Sequence, residues 1–414
     1  MNILLLGYGG ANNTGAEIRI LTIIDDVRAV FGPDATITVV SADAARSTAV
    51  IGPRANLVVQ QVPHLFVPAI WRLAGRNDLL LLVEGSTFKQ NWSSALLWLF
   101  LWGAWSARRQ GKRCIAYAVD AGALGRINGA LTRHVCAGMD LIVTRTDAAR
   151  DVLATLGIRS QIHVTADTAF QFEIAPAPRI GRGSFGLAPV EFNEWPVRMR
   201  LWGRKATLYH WPFYHAWNAA RAAASGRLVA AWVVTAQHAI ANGWPVALIA
   251  MEELDQRICD RIYAGLEAAE QDRVVKIYAG VMRPQEIVST LRALGCLITS
   301  RYHALVLSMK AAVPVGALYH DERLISILRE LGLERFAIDY RSPGFIPDLR
   351  TAMPALLDAV VAGIDGQRAR IAERHDAYYA PRARANRDLL AAHGGVALSA
   401  SRARAGGPRR IAAS

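Results

Sequence analysis

The stretch GCLITSRYHALVLSMKAAVPVGALY, Gly295 to Tyr319, decides the fold. Cys296–Ser300 is a short apolar run of strand type, and the Ala/Leu/Val-rich segment after it reads as a helix that ends before Pro314. A second apolar run follows. Strand, turn, helix and strand in close succession build a parallel sheet with helices on its faces. Arg301 and His303 fall in the turn, two residues apart.

The same rhythm extends in both directions. Asn2–Leu6, Ala35–Val40, Leu79–Val83, Arg113–Val119 and Leu141–Thr144 read as buried strands, with helical patterns such as Glu17–Val30 and Asp147–Leu156 between them. The Pro/Gly/Arg stretch EIAPAPRIGRG after Phe172 reads as a linker. Beyond it come strands at Ser184–Pro189, Pro245–Ala250, Val274–Tyr278, Cys296–Ser300 and Val313–Leu318, and helices at Leu254–Glu270 and Pro284–Ala293. The expected fold class is therefore α/β. Two doubly wound, Rossmann-like parallel-sheet domains face each other across a cleft, as in the GT-B glycosyltransferase architecture. We place the domains at 1–175 and 183–345, followed by a helical segment at 346–395, able to return across the first domain, and a basic, disordered tail at 396–414.

Composition excludes several classes. With 414 residues, the chain exceeds one hydrophobic core and suits two domains of about 150 to 200 residues. Its 52% hydrophobic and 8% aromatic content specifies a packed protein. Cys114, Cys136, Cys259 and Cys296 lack metal-ligand or CxxC spacing, so no metal site and no disulfide framework is expected. A reducing cytoplasm fits. The N-terminus lacks a signal-peptide pattern, and the apolar segment Ser93–Ala107 is shorter than a membrane span of about 20 residues. It reads as a buried helix, with an interfacial helix as the alternative. The formal charge of +13 is concentrated at one end, because Pro381–Ser414 holds seven arginines and one aspartate. A nucleic-acid partner is not expected. Peripheral contact with the inner membrane surface stays open.

Ligands of such sheets bind at the carboxyl ends of the strands. Gly10, Asn13, Gly15 and Glu17 follow the first strand, Glu84, Gly85 and Ser86 a later one, and Asp120, Arg145, Arg301 and His303 others. The glycine-rich GYGGANNTG matches neither a dinucleotide-binding pattern nor a P-loop, and a tight strand-to-helix turn also explains it. At a helix start, free N–H groups beside an arginine fork suit an anion, and a neutral histidine there can exchange a proton. Pairing of Arg301 with a structural carboxylate is the alternative. Arg145 near Asp147 and Asp151, and Arg323 near Glu322 and Glu330, have the same alternative.

The stretch SRYHALVLSMKAAVPVGALYHDER resembles the signature of polysaccharide pyruvyl transferases. There an R-x-H-A-x-x-x-A/S run precedes a V-P strand and an acidic–x–basic step, matched here by Arg301, His303, Ala304, Pro314, Asp321 and Arg323. GYGGANNTGAE, VEGSTFKQ, TRTDAARDVLATLGI, ADTAF and GWPVALIAMEELD resemble further family segments. Ala16, Glu84 and Ala118–Leu124 depart from the family pattern.

The resemblance implies transfer of a pyruvyl group from phosphoenolpyruvate to sugar hydroxyls, forming a ketal and releasing phosphate, with no cofactor. It implies phosphoenolpyruvate binding by Arg301, His303, Arg145 and Arg323, with His303 and Arg301 catalytic. Acceptor binding falls to Gly10, Asn13, Gly15, Glu17, Glu84, Gly85, Ser86 and Asp120, the acceptor being a sugar of a polysaccharide or its lipid-linked precursor. A GT-B glycosyltransferase using a nucleotide sugar and a non-catalytic glycan-binding relative are the alternatives. The segment Asn193–Trp217, dense in aromatics, suits sugar rings, a lipid carrier or a hydrophobic lid. Arg301→Ala and His303→Ala are expected to leave the fold intact.

Overall fold

The computed structural model describes residues 1–63, 65–90, 94–158, 160–181, 183–194, 197–340 and 348–394. The expected basic tail, 396–414, lies outside the described residues. The chain divides into two compact units. The first holds residues 1–10, 19–171 and 381 onward, and the second holds 11–18 and 172–380.

In the first unit β1 (Asn2–Gly9), β2 (Thr36–Ser41), β3 (Leu57–Gln61), β4 (Leu79–Leu82), β5 (Arg113–Val119), β6 (Leu141–Thr144) and β7 (Ile162–Val164) form one parallel sheet. Its order is β3-β2-β1-β4-β5-β6-β7. Both faces of a parallel sheet are covered, so its inner strands carry unbroken apolar runs. β4 is four leucines, all buried. The helix Ala95–Arg109 covers one face, with Leu97, Phe100, Leu101, Ala104 and Ala107 packed in the core beside Leu6 and Leu80. This is the buried helix expected of that apolar segment. No described helix is long and apolar enough to cross a membrane. The last helix, Ala380–Gly394, returns to the first unit from Pro381 onward, where Asn386 accepts from the Thr165 hydroxyl at 2.6 Å and donates to the Ala166 carbonyl at 2.9 Å.

In the second unit β8 (Phe185–Ala188), β12 (Val246–Ala250), β13 (Val274–Tyr278), β14 (Cys296–Thr299), β15 (Val315–Tyr319) and β16 (Ala337–Asp339) form a parallel sheet ordered β13-β12-β8-β14-β15-β16. Between β8 and β12 the chain makes a small antiparallel sheet of β9 (Val197–Met199), β10 (Leu208–His210) and β11 (Phe213–His215). Strand order reverses between β1 and β4 in one unit and between β8 and β14 in the other. These are the switch points beside which ligands of such sheets bind. The helix expected over Leu254–Glu270 is broken into a 3-10 turn at Glu253–Asp255 and helices Gln256–Ala264 and Ala268–Gln271, with Gly265 ending the first helix.

The core of the first unit carries a titratable group. Asp26 is buried on the helix Thr14–Phe31, where it accepts from the Tyr117 hydroxyl at 2.8 Å and from the Gln171 amide at 2.9 Å. Burial pushes its carboxyl up to about 6, although these hydrogen bonds oppose the shift. The folded state therefore binds a proton that the unfolded chain has lost between about pH 4 and 6, and stability falls over that window as pH rises. Urea unfolding at pH 4 and pH 7 should show this loss. In Asp26→Asn the difference between the two pH values is expected to shrink by about 2 kcal/mol. An unchanged difference would contradict the assignment.

Candidate functional site

In the second unit the chemistry gathers where β12 and β14 end. β12 and β14 are buried at every position, so the first polar side chains after them stand at the sheet's carboxyl edge. After β12, Glu252 and Asp255 close a reciprocal cap around the Glu253–Asp255 turn, with the Glu252 amide donating to Asp255 at 3.2 Å. After β14, the Arg301 amide donates to the Thr299 hydroxyl at 2.8 Å, which holds Arg301 extended at the start of the helix Tyr302–Ser308. Its guanidinium turns back to the β12 end. Nε donates to Asp255 at 2.7 Å, a second nitrogen donates to the other Asp255 oxygen, and a third donates to Glu252 at 2.9 Å.

This clamp is nearly closed to solvent, for the Arg301 side chain is 19% exposed and that of Asp255 is 2% exposed. Burial pushes the Asp255 carboxyl up to about 6, and Arg301 pulls against that shift. Burial likewise disfavours the Arg301 charge, but Asp255 and Glu252 outweigh it and raise its pKa above the ordinary arginine value. The fork expected to grip a substrate anion thus holds two of the protein's own carboxylates. The expectation of an intact Arg301→Ala variant changes with it. Removing the guanidinium leaves two acids facing each other at a buried site, and the variant is expected to lose about 3 kcal/mol in denaturant unfolding.

The segment 11–18 lies against the same edge. The Thr14 amide donates to the Met251 carbonyl at 2.9 Å, Asn13 bridges to Glu252, and the Asn12 amide side chain donates to Glu253. Asn13, Gly15 and Glu17 therefore belong with the second unit, not with the first domain to which the sequence reading assigned them. Gly15 has a specific reason to be glycine. A methyl group built there would stand 2.1 Å from His303 Nδ1 and 2.2 Å from its Cγ, so backbone packs directly on the imidazole. His303 also meets the Tyr302 ring, with centroids 5.0 Å apart and planes at 79°. Arg323 stands over Tyr302 at 5.5 Å and pairs with Asp321 at 2.7 Å, keeping 32% of its side chain exposed. The structure thus brings Asn13, Gly15, Arg301 and His303 to one edge and sets Arg323 beside them.

The first unit gathers a different set. Arg145, at the end of β6, pairs with Asp120 at 3.1 Å and with Asp167 at 2.5 Å. Arg19 completes the network, reaching Asp167 at 3.0 Å and donating to the carbonyls of Val83 at 3.2 Å and Ala118 at 2.8 Å. The register shift in β5, with Ala118 at a φ of 51°, aims that carbonyl at Arg19. All of these charged side chains are buried. The expectation that Arg145 presents an open fork is corrected, because Asp120 and Asp167 occupy it. Asp147 and Asp151, the neighbours considered from sequence, pair with Arg150.

Gly85 touches this network, since a Cβ there would lie 2.9 Å from an Arg145 nitrogen. Glu84 and Ser86 stand beside it, 3.4 Å apart through their side chains. Gly10 owes its identity to packing, with a φ of 81° and Asp43 backbone 2.6 Å from where a Cβ would be. Sequence reasoning missed Arg19, Asp167, Glu252 and Asp255. Asp167 and Asp255 fall within or beside quoted segments, ADTAF and MEELD, whereas Arg19 gave one signal, a charge inside the apolar run IRILTII.

Among the described residues no cluster of metal-ligating side chains occurs. Comparison with solved structures places the fold. A Listeria monocytogenes protein assigned as a UDP-N-acetylglucosamine 2-epimerase matches with a TM-score of 0.60 at 12% identity, covering 100% of this chain and 99% of its own. The UDP-GlcNAc 2-epimerase of Neisseria meningitidis bound to UDP-GlcNAc matches at 0.58 and 8% identity, covering 94% and 99%. That of Methanocaldococcus jannaschii matches at 0.53 and 11% identity, covering 86% and 92%. At such identities the likeness establishes the fold, two parallel-sheet α/β units, and nothing finer. None of the curated proteins compared matches the sequence. The family model for polysaccharide pyruvyl transferase does match, over residues 13–322, a span that runs from the segment seated on β12 to the start of the helix carrying Arg323. The chain belongs to the polysaccharide pyruvyl transferase family.

Proposed function

We propose that this chain transfers a pyruvyl group from phosphoenolpyruvate to two hydroxyls of a sugar in a polysaccharide or its lipid-linked precursor, with His303 as a proton-transfer group. The reading rests on family membership and on one geometric observation: the Gly15 backbone packs against His303, beside the Arg301 clamp. A side chain packed against backbone and against a neighbouring ring is pre-oriented, which proton transfer requires.

In the reaction the methylene carbon of phosphoenolpyruvate gains a proton, two sugar hydroxyls form bonds to the neighbouring carbon, and the bond from that carbon to the phosphate oxygen breaks. Of the two hydroxyl protons released, one balances that taken up by carbon and the other leaves with phosphate. His303 serves one of these transfers. The clamp geometry changes the expected role of Arg301. With Asp255 and Glu252 on its donors, it acts as a positioning residue that fixes the turn carrying His303. Arg323, with part of its fork exposed, is the guanidinium we assign to the anionic donor. Acceptor contacts are assigned to Glu84, Gly85 and Ser86, while Asp120, buried against Arg145, belongs to the network beneath them.

Incubation with phosphoenolpyruvate and a panel of hexose acceptors, followed by phosphate release, tests the proposal. Acceptor-dependent phosphate is the expected result. Turnover of a nucleotide sugar with release of nucleotide, and none with phosphoenolpyruvate, would replace it by the glycosyltransferase reading.

A further inference from the structure

The tip of the small antiparallel sheet has no role in the chemistry above. Pairing of Phe213 with Met199, the Arg200 amide donating to the Pro212 carbonyl at 2.8 Å, and the Trp211 indole donating to the Leu201 carbonyl at 3.3 Å bring residues 199–202 alongside 211–213. The apolar side chains at this tip point outward. Met199 is 69% exposed, Leu201 70%, Trp202 79% and Trp211 68%. Large apolar side chains so exposed, contiguous and held on a hydrogen-bonded sheet mark an interaction surface, whereas single exposed ones do not.

Its chemistry narrows the partner. Arg198, Arg200, Arg204 and Lys205 are exposed around the same tip, and residues 197–212 contain no Asp or Glu. A cavity of about 480 Å³, lined by Arg200, Arg204, Tyr214, His215 and Trp217, opens beside it. Tryptophan settles at the boundary between headgroups and acyl chains, and cations beside it are drawn to anionic lipid. A neutral glycan accounts for the aromatics and leaves the uniform positive charge without a counterpart. We propose that this tip docks on an anionic lipid bilayer, with Met199, Leu201, Trp202 and Trp211 seated in the interface and the arginines on headgroup phosphates.

Cosedimentation of the full chain with vesicles tests this. The probes are phosphatidylcholine alone and phosphatidylcholine mixed with phosphatidylglycerol. The wild-type chain is expected to partition onto the mixed vesicles and to be released by salt. Leu201→Ser/Trp202→Ser should lower that partitioning more than tenfold at an unchanged unfolding midpoint, since both side chains are exposed. Replacing Arg198, Arg200, Arg204 and Lys205 by Gln should lower it roughly fivefold per residue. Binding to neither vesicle, or equal binding to both, would overturn the proposal. So would undiminished binding by both variants, which would move the contact to another surface, such as the exposed Trp71 and Trp98 of the first unit.

Discussion

Asp167→Ala is expected to lower stability by about 3 to 5 kcal/mol, the largest loss among the substitutions considered. Asp167 is fully buried and faces two guanidinium groups, Arg19 at 3.0 Å and Arg145 at 2.5 Å. Together with Asp120 the four side chains are formally neutral, and the Val83 and Ala118 carbonyls take further donors of Arg19. Alanine at 167 leaves two positive charges with one carboxylate in a site that water does not reach. Burying a charge without its partner costs far more than an intact pair contributes. Arg145→Ala should lose a comparable amount, and the double variant less than the sum, because the two residues share one interaction. Denaturant unfolding checks both statements. A loss under about 1 kcal/mol for Asp167→Ala would mean that the network relaxes or hydrates, contrary to its burial.

His303→Ala is expected to lower turnover by about 10² to 10⁴-fold, the usual contribution of a positioned acid or base. Its ring meets the Gly15 backbone and the Tyr302 ring, while the Arg301 donors go to Asp255 and Glu252, so unfolding should shift by no more than about 1 kcal/mol. Gly15→Ala supplies an independent check. The new methyl group would overlap the imidazole at 2.1 Å, and the segment bearing it is tied to Met251 and Glu253 by hydrogen bonds. The ring yields first. Loss of turnover in Gly15→Ala, with His303 still present and the fold retained, would tie activity to the ring's orientation. Wild-type turnover in Gly15→Ala would show that the ring's seat is irrelevant.

The inner strands of both sheets were legible because parallel strands buried on both faces announce themselves as apolar runs, as Leu79–Leu82 and Cys296–Thr299 do. β3, β7 and β16, at sheet edges, were not, for each is only partly buried and needs no such run. The residues after the strands were identifiable for the same reason the strands were. Their partners were not. Asp167 and Asp255 reach Arg145 and Arg301 across 22 and 46 positions of sequence, distances over which spacing carries no signal. Hence the arginines stand out in the sequence by their place after the strands, while their expected role as open anion forks was corrected by carboxylates that only the folded chain supplies. The same limit applies to residues 11–18, whose place on the β12 edge depends on hydrogen bonds to Met251 and Glu253.

Acceptor-dependent phosphate release from phosphoenolpyruvate, followed in the wild-type chain and in His303→Ala under identical conditions, bears most directly on the assigned chemistry. Rapid release by the wild type and a loss of about 10² or more in the variant, both equally folded, is the expected result. Equal rates in the two proteins, or no phosphate from either with any sugar acceptor, would contradict it.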